Sequence, residues 1–405
     1  METIKKIYKT NRKVFSIIKE SLKFFCFSIK YSFKKSNKAR ILIIAHDFAK
    51  AGAQVLLKNI VIELKKKNYE ITVIAKEQGP LLREYKNYAN IFISYDNKIL
   101  KKYIISLKNK KYSVALTNTV VVGDVIATLK ENGYYVVSMI HELPLLIKEN
   151  KFESRAECIG KYSDVVIFPS NYVREKFETV AKIYNKVVVK PQGLYLNRGH
   201  IVDKENAKKE ICERYNIDIN KKIVINVATG IKRKGFDWFI QIASMLKYRN
   251  DIVFIWVGDY DKVLLDEVLE NINFNRLENL YFTGYIDNPK KLSVYYDSAE
   301  ILMLTSREEP FGSIVLEAFN SKTPVLGFKD GGGYVDVVKD NLTGFLVEYG
   351  QVKKMAEKLE NLFDNTEQLK VVGEKCKRVV ENYSFEEYIK LIENLLRNEE
   401  DKNDI

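Results

Sequence analysis

The run Ile41-Leu42-Ile43-Ile44-Ala45 and the loop Ala51-Gly52-Ala53-Gln54 that follows it decide how the rest of the chain is read. An apolar run without polar alternation is the pattern of a strand buried on both faces, as in parallel sheets. Behind the glycine loop, Leu56, Leu57, Ile60, Ile62 and Leu64 recur with a helical period, and a second apolar run follows from Ile71 to Ala75. Strand, glycine loop, helix and strand make a βαβ unit. The alternation continues through Val114 to Thr117, Tyr135 to Ile140 and Asp164 to Phe168, and closes near Pro191-Gln192-Gly193. After a polar stretch it restarts with Ile223-Val224-Ile225-Asn226-Val227-Ala228 and the loop Thr229-Gly230-Ile231-Lys232-Arg233-Lys234-Gly235. A helix from Phe236 and strands at Ile252 to Gly258, Leu280 to Gly284, Ile301 to Leu304 and Pro324 to Phe328 complete the repeat.

The expectation is an α/β protein with two Rossmann-like domains facing each other across a cleft, since ligands of open α/β sheets bind beyond the carboxyl ends of the strands. A length of 405 residues fits two domains, and 46% apolar residues with only 7 prolines argue against disorder. The reading divides the chain into residues 1–39, a basic segment; 40–196 and 197–380, the two domains; and 381–405, a helix and polar tail. Ser384 and Glu387 form a capping box for that helix.

The net charge of +13 is unevenly placed: residues 1–40 hold twelve Lys/Arg against Glu2 and Glu20, so the remainder carries only +3. This argues against a nucleic-acid partner. Phe15, Ile18, Leu22, Phe25, Ile29 and Phe33 recur at steps of three and four among Lys19, Lys23, Lys30 and Lys34. That is a basic amphipathic helix, suited to an anionic membrane surface. The 4 cysteines are far apart, with neither disulfide nor zinc spacing, which predicts a reducing compartment. The expected location is cytoplasmic, peripheral at the inner face of the cell membrane.

Chemistry concentrates in Thr305-Ser306-Arg307-Glu308-Glu309-Pro310-Phe311-Gly312-Ser313-Ile314-Val315-Leu316-Glu317-Ala318-Phe319. A strand runs into an acidic turn, Pro310 and Gly312 break regular structure, and Ser313 is placed to cap a new helix. The amides of Phe311 to Val315 then form a helix N-terminus able to receive a diphosphate or sugar hydroxyls, beside two carboxylates that can accept from hydroxyls.

These residues resemble the family 4 retaining glycosyltransferases, of the GT-B fold. That family carries two glutamates separated by seven residues, matched by Glu309 and Glu317 with Pro-Phe-Gly between them and Ala318 after. The triple Gly331-Gly332-Gly333 ahead of Asp336, Thr343-Gly344-Phe345-Leu346-Val347 and Tyr281-Phe282-Thr283-Gly284 resemble further motifs in the same order. The resemblance implies that Glu317 binds the donor ribose, that Glu309 contacts the transferred sugar, and that Phe311, Gly312 and Ser313 offer amides. It implies that Lys234 answers the diphosphate. Thr229 stands where the family has an arginine, so Arg233 or Lys232 is the candidate replacement. Gly230 and Gly52 join the donor-binding set as glycines that let backbone approach a ligand. His141 with Glu142 resembles the family's site near the reacting sugar. His46 and Asn118, at strand ends, are weaker candidates.

The implied reaction is retaining transfer of a sugar from a nucleotide-diphosphate sugar to a glycan or lipid-linked acceptor, as in bacterial surface polysaccharide assembly. No metal or other cofactor is expected, because Lys234 and helix N-termini would neutralise the diphosphate. Asp259-Tyr260-Asp261 has the form of a metal-binding DxD, but it follows a strand of the second repeat. A non-catalytic partner subunit and a nucleotide-sugar epimerase share the fold and stand as alternatives. A dehydrogenase is disfavoured, since neither first-strand loop carries GxGxxG.

Overall fold

The computed structural model describes residues 21–25, 38–195, 203–272 and 277–397. The basic segment 1–39 therefore lies outside the described residues except at 21–25 and 38–39, as do residues 196–202 and the tail 398–405.

Seven parallel strands form the first sheet: β1 (Arg40–Ala45), β2 (Glu70–Ala75), β3 (Asn90–Ile93), β4 (Val114–Asn118), β5 (Tyr135–Met139), β6 (Val165–Phe168) and β7 (Lys186–Val189), in the order β3-β2-β1-β4-β5-β6-β7. Six parallel strands form the second: β8 (Lys222–Val227), β9 (Ile252–Val257), β10 (Leu280–Phe282), β11 (Ile301–Met303), β12 (Val325–Phe328) and β13 (Gly344–Val347), in the order β10-β9-β8-β11-β12-β13. Each order reverses once, between β1 and β4 and between β8 and β11. At such a reversal the two flanking loops leave in opposite directions and open a crevice at the strand ends. The expected α/β architecture is present in both halves.

The chain divides into two compact units: residues 1–169, 174–190 and 386–405, and residues 170–173 with 191–385. The longer stretch of the second unit starts at Pro191. The last helix, Phe385–Arg397, joins the first unit because its apolar stripe of Tyr388, Ile389, Ile392 and Leu395 is buried there. The Tyr388 hydroxyl lies 3.6 Å from Met139 Sδ, and Glu393 accepts from Tyr69 (3.2 Å) and pairs with Lys67 (3.0 Å).

Within the first unit, β1 is buried along its whole length, and the helix Gly52–Lys66 buries Leu56, Leu57, Ile60, Val61 and Leu64 and packs on β2. Val61, not Ile62, completes that face. Lys65 and Lys66 sit in the last turn, where cations oppose the helix dipole. Residues 21–25 are helical, with Phe24 buried, stacked 4.0 Å from Tyr103 and edge-on to Phe92.

Candidate functional site

In the second unit, two loops meet at the β8/β11 reversal. After β8 the chain makes a short turn, Lys232–Lys234, and enters the helix Phe236–Met245 through Gly235. After β11 it runs through Thr305 to Gly312 into the helix Ser313–Asn320. Hydrogen bonds and an ion pair zip these loops together. Arg307 N donates to Arg233 O (2.9 Å), Thr305 Oγ1 donates to Gly235 O (2.8 Å), and the Arg307 guanidinium makes a two-pronged pair with Asp237, both contacts at 2.7 Å. The same guanidinium lies 3.8 Å over the Trp238 ring. Such a planar, stacked fork fixes direction as well as distance.

On that frame Lys234 Nζ donates to Glu309 Oε2 at 2.5 Å, with Ser306 Oγ donating to the same oxygen at 3.4 Å. The lysine side chain is 18% exposed and the glutamate 8%, so the pair is largely desolvated. The two residues expected to serve diphosphate and sugar separately are here partners of one another.

The backbone of Glu309 is held on both sides by the glycine loop. Its amide donates to Gly331 O (2.9 Å) and its carbonyl accepts from Gly333 N (2.8 Å). A Cβ on Gly332 would stand 1.9 Å from Glu309 O, which only a glycine avoids. Among the described residues, this explains the triple glycine as a clamp on Glu309. Asp336 accepts from Asn171 N at 2.7 Å.

The helix carrying Glu317 starts differently from the expectation. Gly312, at φ +71°, is the cap residue, no side chain caps the helix, and Ser313 is its first residue. The left-handed turn ends the extended segment one position before the serine could act, and Ser313 Oγ instead meets Tyr195 Oη at 3.5 Å. Glu317 and Phe311 are buried on or beside this helix. Gly230 is joined through its backbone to the loop after β9. Its amide donates to Asp259 O (2.6 Å) and its carbonyl accepts from Asp261 N (3.0 Å), so its small size serves a loop contact. Arg233 reaches Glu308 O (3.1 Å), Lys232 is exposed, and Thr229 is exposed. The DxD carboxylates hold backbone: Asp259 accepts from Tyr285 N (2.8 Å) and Asp261 caps the helix Lys262–Asn271.

The β1/β4 reversal of the first unit has another set of groups. The helix beginning at Gly52 has no side-chain cap, and a Cβ on Gly52 would meet nothing within 4 Å. Asn118, at the end of β4, donates through Nδ2 to Ala53 O (3.2 Å), while its Oδ1 lies 3.0 Å from His141 Nε2. Gln54 donates to Asp47 (2.7 Å), and Asp47 lies 3.4 Å from His46 Nδ1. Glu142 is buried and accepts from Val120 N (3.0 Å) and His141 N (3.1 Å) through one oxygen. Burial pushes the Glu142 carboxyl up to about 7 against the pull of those amides, and burial pushes the His141 ring down to about 4. Asn118 and Glu142 are the members of this set that the sequence underrates. The only signal for either is position at a strand end or next to the histidine.

The paired open sheets, each with one reversal, define the GT-B class. Anabaena HepE in complex with UDP and glucose has a TM-score of 0.75 to this chain, covering 88% of it and 99% of HepE at 16% identity. WaaG, a glycosyltransferase involved in lipopolysaccharide biosynthesis, has a TM-score of 0.70, covering 88% of this chain and 100% of its own at 13% identity. The particular family enters through the second unit: residues 207–382 match the family described as Glycosyl transferases group 1, and the chain carries that domain. Among sequence relatives, the processive diacylglycerol alpha-glucosyltransferase of Acholeplasma laidlawii is 27% identical over 43% of this chain and 51% of its own length. The capsular polysaccharide biosynthesis glycosyltransferase CapM of Staphylococcus aureus is 22% identical over 81% and 89%. The chain spans about half the length of the first of these two.

Proposed function

We propose that this chain is a retaining glycosyltransferase that moves a sugar from a nucleotide-diphosphate sugar to a glycan or lipid-linked acceptor in bacterial surface polysaccharide or glycolipid assembly. The observation that carries this reading is the desolvated Lys234–Glu309 pair at the β8/β11 reversal, next to the uncapped helix start at Ser313. An ammonium and a row of amides at one crevice suit a diphosphate, and the adjacent carboxylates Glu309 and Glu317 suit hydroxyls of sugar and ribose. The names of the relatives agree with this chemistry, and UDP bound to Anabaena HepE makes UDP-sugars the first donors to test.

The transfer breaks the bond between the anomeric carbon and the diphosphate oxygen and forms one to the acceptor hydroxyl. The acceptor's proton passes to the departing diphosphate. Lys234 and the amides after Gly312 stabilise the charge that grows on the leaving group. With Thr229 in place of the family arginine, Lys234 carries this task with Arg233 as its nearest basic neighbour in sequence. A metal ion has no part in this scheme, so EDTA should leave the rate unchanged. His141 serves the hydroxyl-bearing side of the reaction, and Gly52 leaves room for the donor beside the backbone.

Membrane attachment through residues 1–39 is part of the proposal. Leu22 and Phe25 of the expected apolar stripe are 60% and 61% exposed, whereas Phe24 anchors the turn. Among the described residues no helix is long and apolar enough to cross a membrane. Leu22→Ser/Phe25→Ser should reduce sedimentation with anionic vesicles without altering the fold.

The central test is release of nucleoside diphosphate from a panel of UDP- and GDP-sugars by the full chain, with Glu317→Ala as control. Turnover of one donor that the control abolishes supports the reading. Sugar isomerised without transfer would favour an epimerase, and no turnover of any donor together with capture of a glycosyltransferase would favour a partner subunit.

A further inference from the structure

The glycine loop that clamps Glu309 has a support of its own at the end of β12. Between β11 and β12 the rungs of the ladder run from Leu302 N to Pro324 O (2.9 Å) and from Leu304 N to Leu326 O (2.8 Å). In a strand every second residue turns its amide and carbonyl to the same side, so the next rung would join Ser306 to Phe328. β11 ends at Met303, and the chain leaves the sheet toward Glu309 before that rung can form. The hydroxyl of Tyr334 takes that place: it accepts from Phe328 N at 2.9 Å and donates to Phe328 O at 2.7 Å. A phenol can replace a strand here because a hydroxyl is both donor and acceptor. Tyr334 is fully buried, and burial raises its pKa, so the hydroxyl keeps its proton.

The neighbouring glycines make room for this ring. A Cβ on Gly331 would stand 2.3 Å from the Tyr334 hydroxyl, and one on Gly327 would stand 2.9 Å from ring atom Cε2. A chain of hydrogen bonds then leads from the phenol to the acidic turn. Phe328 O also accepts from Gly331 N (3.1 Å), and Gly331 O accepts from Glu309 N (2.9 Å). Without the phenol oxygen, the buried amide of Phe328 would lose its partner and the first link of the chain would loosen.

We propose that Tyr334 is a positioning residue: its hydroxyl closes the gap that β11 leaves beside Phe328, and through Phe328 and Gly331 it sets the Glu309 carboxylate against Lys234 and the bound sugar. The inference rests on the glycosyltransferase reading for the sugar alone. Placement against Lys234 is independent of it.

The test is Tyr334→Phe in the full chain, which removes the oxygen and keeps the ring. Tyr134→Phe is the control, since it removes a buried tyrosine hydroxyl of the first unit that donates to Ile104 O at 2.8 Å. Urea unfolding comes first, because it needs no donor. Tyr334→Phe should lower the unfolding midpoint of the wild type, and lower it less in the Lys234→Ala/Glu309→Gln background, where no pair is left to place. Tyr134→Phe should cost the same in both backgrounds. Equal losses from Tyr334→Phe in the two backgrounds would overturn the proposal. With a UDP-sugar that is turned over, Tyr334→Phe should lower kcat roughly tenfold or more with little change in KM, while Tyr134→Phe leaves kcat as it was. A wild-type kcat in Tyr334→Phe, or the same fall in both variants, would overturn it as well. Should Tyr334→Phe not fold, Gly331→Ala, whose methyl presses on the same hydroxyl, takes its place in both measurements with the same expected results. Coupled unfolding in a chain that turns over no donor would remove the proposed function and leave the role of Tyr334 toward the Lys234–Glu309 pair standing.

Discussion

Where β8 gives way to β11, the groups at the strand ends are ionic: Lys234 with Glu309, and Arg307 with Asp237. Where β1 gives way to β4, the groups facing one another are Asn118 and the uncharged ring of His141, and the acids Asp47 and Glu142 bind amide hydrogens. Both crevices come from the same strand order, so the fold supplies the place and leaves the chemistry to a few side chains. A preformed ion pair suits a ligand that brings its own charge. A neutral acceptor suits hydroxyls.

The sharpest way to break the comparison is at the ion pair. Lys234→Ala strands a buried carboxylate and should cost about 3–5 kcal/mol of stability, along with a roughly 100-fold or greater fall in donor turnover. Lys234→Ala combined with Glu309→Gln should recover most of the stability and none of the activity. Urea unfolding and a nucleoside-diphosphate release assay measure the two quantities. If the single variant were as stable as the double, the pair would not be the organising contact of this crevice.

The crevice of the first unit should answer to pH instead. Glu142 is raised in the fold to about 7, so its favourable contribution is present below its unfolded value and is lost as pH rises through 7. Glu142→Gln should therefore gain stability relative to the wild type between pH 5 and 8, by up to about 3 kcal/mol. His141 runs the other way. With its folded value lowered to about 4, its contribution is present above 6.5 and is lost as pH falls through 4, so His141→Gln should gain relative to the wild type between pH 6.5 and 4. Unfolding titrations at several pH values would show two opposite slopes.

Two glycines sharpen the contrast further. Gly332→Ala sets a methyl against the Glu309 carbonyl and should cost about 1–3 kcal/mol with a loss of activity, whereas Gly52→Ala has open space and should change the melting temperature least of all. If Gly52→Ala nevertheless weakens binding of donor or acceptor, read as a raised KM, the space above it belongs to a ligand.

The long apolar strands were legible because burial on both faces removes polar residues from them. β3 and β7 were not: each is four residues long at a sheet edge, and β7, Lys186–Val189, is only half buried. Loops with glycine and proline revealed where the chain turns, and so which residues stand at strand ends. What they could not reveal is pairing. Lys234 and Glu309 are far apart in sequence, and no local rule says that an ammonium will choose that carboxylate over a solvent-facing one. The start of the helix at Ser313 misled for a related reason. A serine before an apolar run signals a cap, but Gly312 in a left-handed turn ends the loop first.

The clamp on Glu309 has one more implication. Residues 331 to 333 touch the acidic turn only through main-chain atoms, so they contribute no functional group of their own, yet they set the height at which the carboxylate is carried. They act as a gauge block. A family of such chains could change the sugar it handles by varying side chains around this turn while the gauge itself stays fixed, and a methyl added to the gauge would be felt as a misplaced charge rather than as a missing contact.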